Sequence, residues 1–209
     1  MDITLLFFIG LLIALVGVIP PGLLNMTAAK ISLKEGYSRG IMFSVGACLV
    51  VTIQTTIAAV FAKYLSNHPD VIAILQQVAL VIFILITIYY FKLAKKNTSL
   101  PIKAKSRSKH SRFFQGMLLS ALNVFPIPYQ AYMTLTIASF GWMTFEKISI
   151  TAYVSGATMG TFVMLYIYIF FFDKIKSKRL TSQKSMNYII GSITGVIAII
   201  TLIKIIQEL

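Results

Sequence analysis

The sequence predicts an all-α polytopic membrane protein of six transmembrane helices. They form two inverted three-helix repeats, with the first and fourth helices broken at proline. Three observations predict this. The first is composition: of 209 residues, 57% are hydrophobic and 12% charged, and the mean hydropathy is +0.84. A soluble domain carries about 25% charged residues. The second is that six stretches (3–29, 40–62, 71–91, 113–145, 148–172 and 185–203) contain no Lys, Arg, Asp or Glu. Each exceeds the ~18 residues that cross ~30 Å of hydrocarbon as a helix. The third is the placement of the prolines: four of the six lie in two of these stretches, at Pro20-Pro21 and at Pro126 and Pro128.

The loops set the orientation. Of 19 basic residues, 16 fall in the first, third and fifth loops: three from Lys30 to Arg39, eight over 92–112, and five over 174–184. The second and fourth loops hold one each, Lys63 and Lys147. The positive-inside rule places the odd loops in the cytoplasm and both termini outside. The chain begins Met1-Asp2, has no basic residue before Lys30, and has a first apolar run too long for a signal peptide. It reads as an uncleaved first span. Cys48 is the sole cysteine, so no internal disulfide forms.

The basic segment 92–112 divides the chain into a first repeat (1–91) and a second (113–209). With eight Lys and Arg and no acid, it reads as a solvated linker near anionic headgroups. No aromatic side chains interleave its charges, which argues against nucleic acid. Three spans per half force the second half to run opposite to the first, the arithmetic of an inverted repeat.

Corresponding spans carry corresponding irregularities. The first holds Pro20-Pro21-Gly22 and then Asn25; the fourth holds Asn123, Pro126 and Pro128, followed by Tyr129 and Gln130. Proline lacks an N–H and clashes with the carbonyl four residues back, so paired prolines interrupt a helix. The groups thus freed need partners from protein or from a water-filled cavity. The helix before each break is roughly 20–25 Å long, so the breaks, entered from opposite faces, come within reach of each other. Ordinary proline kinks are the bland alternative. Gln54, mid-way along the second span beside Thr52, Thr55 and Thr56, faces either the pathway or a helix partner. Ser155, Gly156 and Gly160 read as a close-packing face, and Trp142 and the aromatic run 166–172 as interfacial belts. The candidate substrate-binding residues are therefore Pro20, Pro21, Gly22, Asn25, Gln54, Asn123, Pro126, Pro128, Tyr129 and Gln130.

These residues resemble the LysE/RhtB superfamily of small bacterial exporters. Pro21-Gly22 with Asn25 stands where its members carry Pro-Gly-Pro and Asn; Gly36, Gly40 and Gly46 follow, and Asn123 with Pro126 stands at the fourth-span break. The chain departs from that pattern at Leu23, at Val50-Val51 in place of a Gly-Asp pair, and at the inserted Val124 and Phe125. The lost intramembrane Asp argues against a cationic substrate such as lysine. The resemblance implies a proton-coupled secondary exporter of small polar metabolites, amino acids foremost, in the bacterial cytoplasmic membrane, with homo-oligomers permitted.

All six acids lie at span ends or in loops, as do His68 and His110. A membrane-embedded protease, a metal site or a carboxylate relay needs such groups within the spans, and no Gly-rich nucleotide loop occurs. The chain reads as neither an enzyme nor a cofactor or metal protein. The alternative is a membrane assembly or partner-binding subunit whose kinks serve packing.

Overall fold

The computed structural model describes residues 2–19, 22–94, 108–123, 125–175 and 183–207. Pro20, Pro21 and most of the basic linker lie outside them. The described residues are helical and hold no strand. The helices are α1 (Ile3–Val18), α2 (Leu23–Glu35), α3 (Tyr37–Ser66), α4 (Pro69–Ala94), α5 (Lys109–Leu122), α6 (Pro126–Ser139), α7 (Lys147–Ile175) and α8 (Gln183–Gln207).

Helix length follows from what stops each helix. α3 runs 30 residues without an interior proline and α7 runs 29, roughly 45 Å each and ample for the hydrocarbon. α3 and residues Lys147–Phe171 are long and apolar enough to cross a membrane; α1 with α2, bent by 79°, makes a third crossing if the pair is one span. α1 stops after 16 residues, and α5 and α6 hold 14 each, so none alone covers ~30 Å at 1.5 Å per residue. The uncharged stretch 113–145 is thus divided: α5 begins before it, at Lys109, and α6 ends at Ser139. Trp142 lies in the turn beyond and is exposed. Gly36 ends α2 with a positive φ of 94°, which L side chains rarely adopt.

The helices form two compact units, one of α1, α2, α3, α5, α6 and α7, and the other of α4 and α8. Each unit draws helices from both sides of the linker, so the units and the sequence halves divide the chain along different lines. In the two-helix unit, Phe91 packs against Tyr188 with ring centroids 5.9 Å apart and meets Gly191.

In the six-helix unit one core cluster joins Leu24, Ala28 and Ile31 of α2 to Phe43, Ala47 and Cys48 of α3 and to Leu165 and Ile169 of α7. A second joins Leu6, Ile137, Met143, Ala152 and Tyr153. Outward-pointing Phe8, Leu12 and Val16 of α1 are more than half exposed. Such a surface suits hydrocarbon rather than water.

Two helix crossings in this unit repeat each other. In the α1–α7 crossing, a Cβ on Gly10 would overlap the carbonyl oxygen of Tyr153, and one on Gly156 would overlap that of Phe7. In the α5–α3 crossing, Gly116 lies against the carbonyl of Phe43, and Gly46 against that of Phe113. In every case the carbonyl belongs to the residue three before the opposing glycine. Gly10 and Gly116 are 106 positions apart, as are the N-caps Asp2 and Ser108, whose side chains accept from Thr4 N (3.0 Å) and Ser111 N (3.2 Å). Gly46 and Gly156 are 110 apart, as are the first residues of α3 and α7. Glycine permits the close backbone approach in both crossings.

Candidate functional site

The site begins from carbonyls that helix breaks leave without intrahelical partners. α1 ends at Val18 and α2 starts at Leu23, with Gly22 extended at its N-cap (φ −103°, ψ 179°). α5 ends at Leu122, and α6 starts at Pro126, whose missing N–H costs nothing in a first turn. Buried in an apolar surround, each unpaired carbonyl would be costly.

Side chains meet that need at both breaks. At the first, Asn25 Nδ2 donates to Val18 O (2.7 Å) and the Tyr168 hydroxyl donates to Ile19 O (2.7 Å). One turn earlier, the Tyr129 hydroxyl donates to Ile13 O (2.9 Å), its ring lying against Gly17. At the second, Gln54 Nε2 donates to Asn123 O (3.0 Å) and joins the Asn123 N–H on Ser120 O (3.1 Å). Helix C-termini carry partial negative charge, and every one of these groups presents a donor.

Asn25, Gln54 and Gln130 are each at most 5% exposed. Gln130 Oε1 accepts from the Tyr153 hydroxyl (2.5 Å). Beyond the Gln54 donor bonds, Gln54 Oε1, Thr55 Oγ1 and Ser120 Oγ are buried without a hydrogen-bond partner. Thr52 Oγ1 and Thr158 Oγ1, 2.9 Å apart, tie α3 to α7. Pro126 is half-buried, while Pro128 is exposed. The structure thus joins Gln54 to Asn123, Asn25 to the end of α1, and Tyr129 to α1. Pro20 and Pro21 lie outside the described residues. A cavity of about 290 Å³ lined by Leu6, Met143, Thr144 and Ser149 sits by the α6–α7 turn, away from both breaks.

Sequence reasoning missed four participants. Tyr168 lies within the run assigned to an aromatic belt, yet its hydroxyl binds a freed carbonyl inside the unit. Tyr153 drew no notice and is fully buried. Glu35 and Arg112 were assigned to loops, but they form an ion pair with side chains only 4% and 5% exposed. The available signal was Glu35 itself, the one acid in the first basic loop.

Two long apolar helices, with a third crossing if the bent α1–α2 pair is one span, define a helical membrane protein. The chain matches LysE type translocator over residues 15–204 and belongs to that family, one of transporters rather than enzymes. No curated protein and no solved structure matches it.

Proposed function

We propose that the chain is a secondary transporter exporting a small polar metabolite, amino acids foremost, across the cytoplasmic membrane by alternating access. The observation that carries this reading is the pair of helix breaks whose freed carbonyls are held by buried amides, Asn25 at one and Gln54 at the other. Half-helices meeting in a polar interior are what membrane transporters use to bind polar solutes. The matched glycine crossings and N-caps support two repeats of one ancestral unit; with three spans read in each half from the sequence, the two would run in opposite directions.

The solute lies between the breaks. Its carboxylate takes the N-terminal end of α2 after Gly22, where the helix dipole is positive. The unpaired acceptor Gln54 Oε1 and the hydroxyl of Ser120 face its donor groups. Gly22, Asn25, Asn123, Pro126, Pro128, Tyr129 and Gln130 shape the two ends of this site. The basic loops place both termini outside.

The test is amino-acid efflux from cells preloaded with a dipeptide mixture and producing the chain, against Pro126→Ala. Faster release of particular amino acids, lost in the variant at equal membrane abundance, supports the reading. Release equal to that of cells lacking the chain, for every amino acid, counts against it.

A further inference from the structure

We propose that Glu35 and Arg112 form the latch that closes one end of the transport path, the end bearing the basic loops. The inference rests on the transport reading above. Glu35 is the last residue of α2 and Arg112 lies in the first turn of α5, on opposite sides of the long linker. Arg112 Nε donates to Glu35 Oε2 at 2.9 Å and Nη2 donates to Glu35 Oε1, a two-pronged pairing, while Nη1 donates to Gln115 Oε1. The carbonyl of Glu35 accepts from Arg39 Nη1 at 2.6 Å, so the end of α2 is held from two directions.

A buried ion pair is a poor choice for stability alone, because desolvating two charges offsets most of their attraction and apolar side chains serve as well. It has one property that apolar packing lacks. Dry and well aligned, it holds firmly; once water reaches it, each charge is solvated and the contact contributes almost nothing. Such a contact closes an end that must reopen.

The opposite end of the same six-helix unit is built otherwise. The position 106 before Arg112 is Leu6, which packs with Ile137 and Met143 in an apolar cluster and lines the cavity of about 290 Å³ by the α6–α7 turn. One end is therefore closed by a buried ion pair, and the other by an apolar cluster beside a cavity that Thr144, Glu146 and Ser149 also line. The latched state is the one whose basic end is shut.

The experiment measures access at both ends in the full chain in membrane vesicles, with Cys48→Ala as background. Ser32→Cys reports on the latch, since Ser32 lies one turn before Glu35 and is 4% exposed; Ser149→Cys reports on the cavity end. Labelling by a membrane-impermeant maleimide is followed from each side. Glu35→Gln or Arg112→Gln is expected to raise labelling at Ser32→Cys by roughly tenfold, the change that about 1.4 kcal/mol of lost closure gives. Labelling at Ser149→Cys is expected to fall. Arg112→Lys keeps the charge but loses the fork and gives an intermediate response if the glutamine variants do not fold. Labelling that rises at both reporters, or changes at neither, overturns the latch. Because labelling needs no solute, that result stands apart from the efflux assay.

Discussion

Gly10 and Gly156 lie across the α1–α7 crossing so that each faces the carbonyl oxygen of the residue three positions before the other. Gly116 and Gly46 hold the same relation across α5 and α3. A Cβ at any of the four would collide with backbone, which cannot swing aside as a side chain does. Gly156→Ala and Gly46→Ala are each expected to cost at least the ~1–3 kcal/mol of overpacking. Gly191→Ala, where a Cβ would make ordinary 3.4 Å contacts with the Phe91 ring, should cost little. Thermal melts of the detergent-purified variants check the contrast.

Gln54→Leu removes both donors at the end of α5 while keeping volume. Hydrogen bonds between membrane helices contribute about 0.6 kcal/mol on average and up to ~2, so a loss of roughly 1–3 kcal/mol is expected for two. Transport should fall further than stability does, since Gln54 also carries an unpaired acceptor. Efflux rate normalised to folded protein reads the difference.

Tyr168→Phe deletes one hydroxyl, the donor to Ile19 O. A belt residue would tolerate the change. The helix-end role assigned here gives a lower melting temperature and a loss of about 0.6–2 kcal/mol, while Tyr166→Phe, whose side chain is 42% exposed, leaves both unchanged.

Thr52 and Thr158 should couple. Replacing each with Val and both together gives a double-mutant cycle, with an expected interaction of about 0.6 kcal/mol from the 2.9 Å contact. Strict additivity would remove the hydroxyl pair as a tie between α3 and α7.

The orientation is tested by cysteines placed in loops on a Cys48→Ala background. Ser106→Cys is expected to react from the cytoplasmic side and Asn67→Cys from the outside. Labelling from the reverse sides would invert the assignment.

Much of this was legible in the residues. Charge-free runs mark where most of the helices lie, and one helix ends ahead of each proline motif, α1 at Val18 and α5 at Leu122. Family membership followed from those short motifs. The partners of the breaks were only half legible. Gln54 and Asn25 stand out as amides among apolar residues, but Tyr168 sits 149 positions from the carbonyl it binds, in a run where aromatic residues have an interfacial explanation. Glu35 was hidden because charge was used to delimit spans. That rule leaves every acid at a span end or in a loop, whereas α2 ends on Glu35, whose side chain is only 4% exposed and pairs with Arg112 of α5. The grouping of α4 with α8 depends on contacts that no periodicity reveals.

The most direct test of alternating access through the two breaks is counterflow with the purified chain in liposomes. Vesicles loaded with one unlabelled amino acid are diluted into a trace of the same compound carrying label. The expected result is a transient accumulation of label above equilibrium, lost in Gln54→Leu. No accumulation above empty liposomes for any of the common amino acids would contradict amino-acid exchange by this chain.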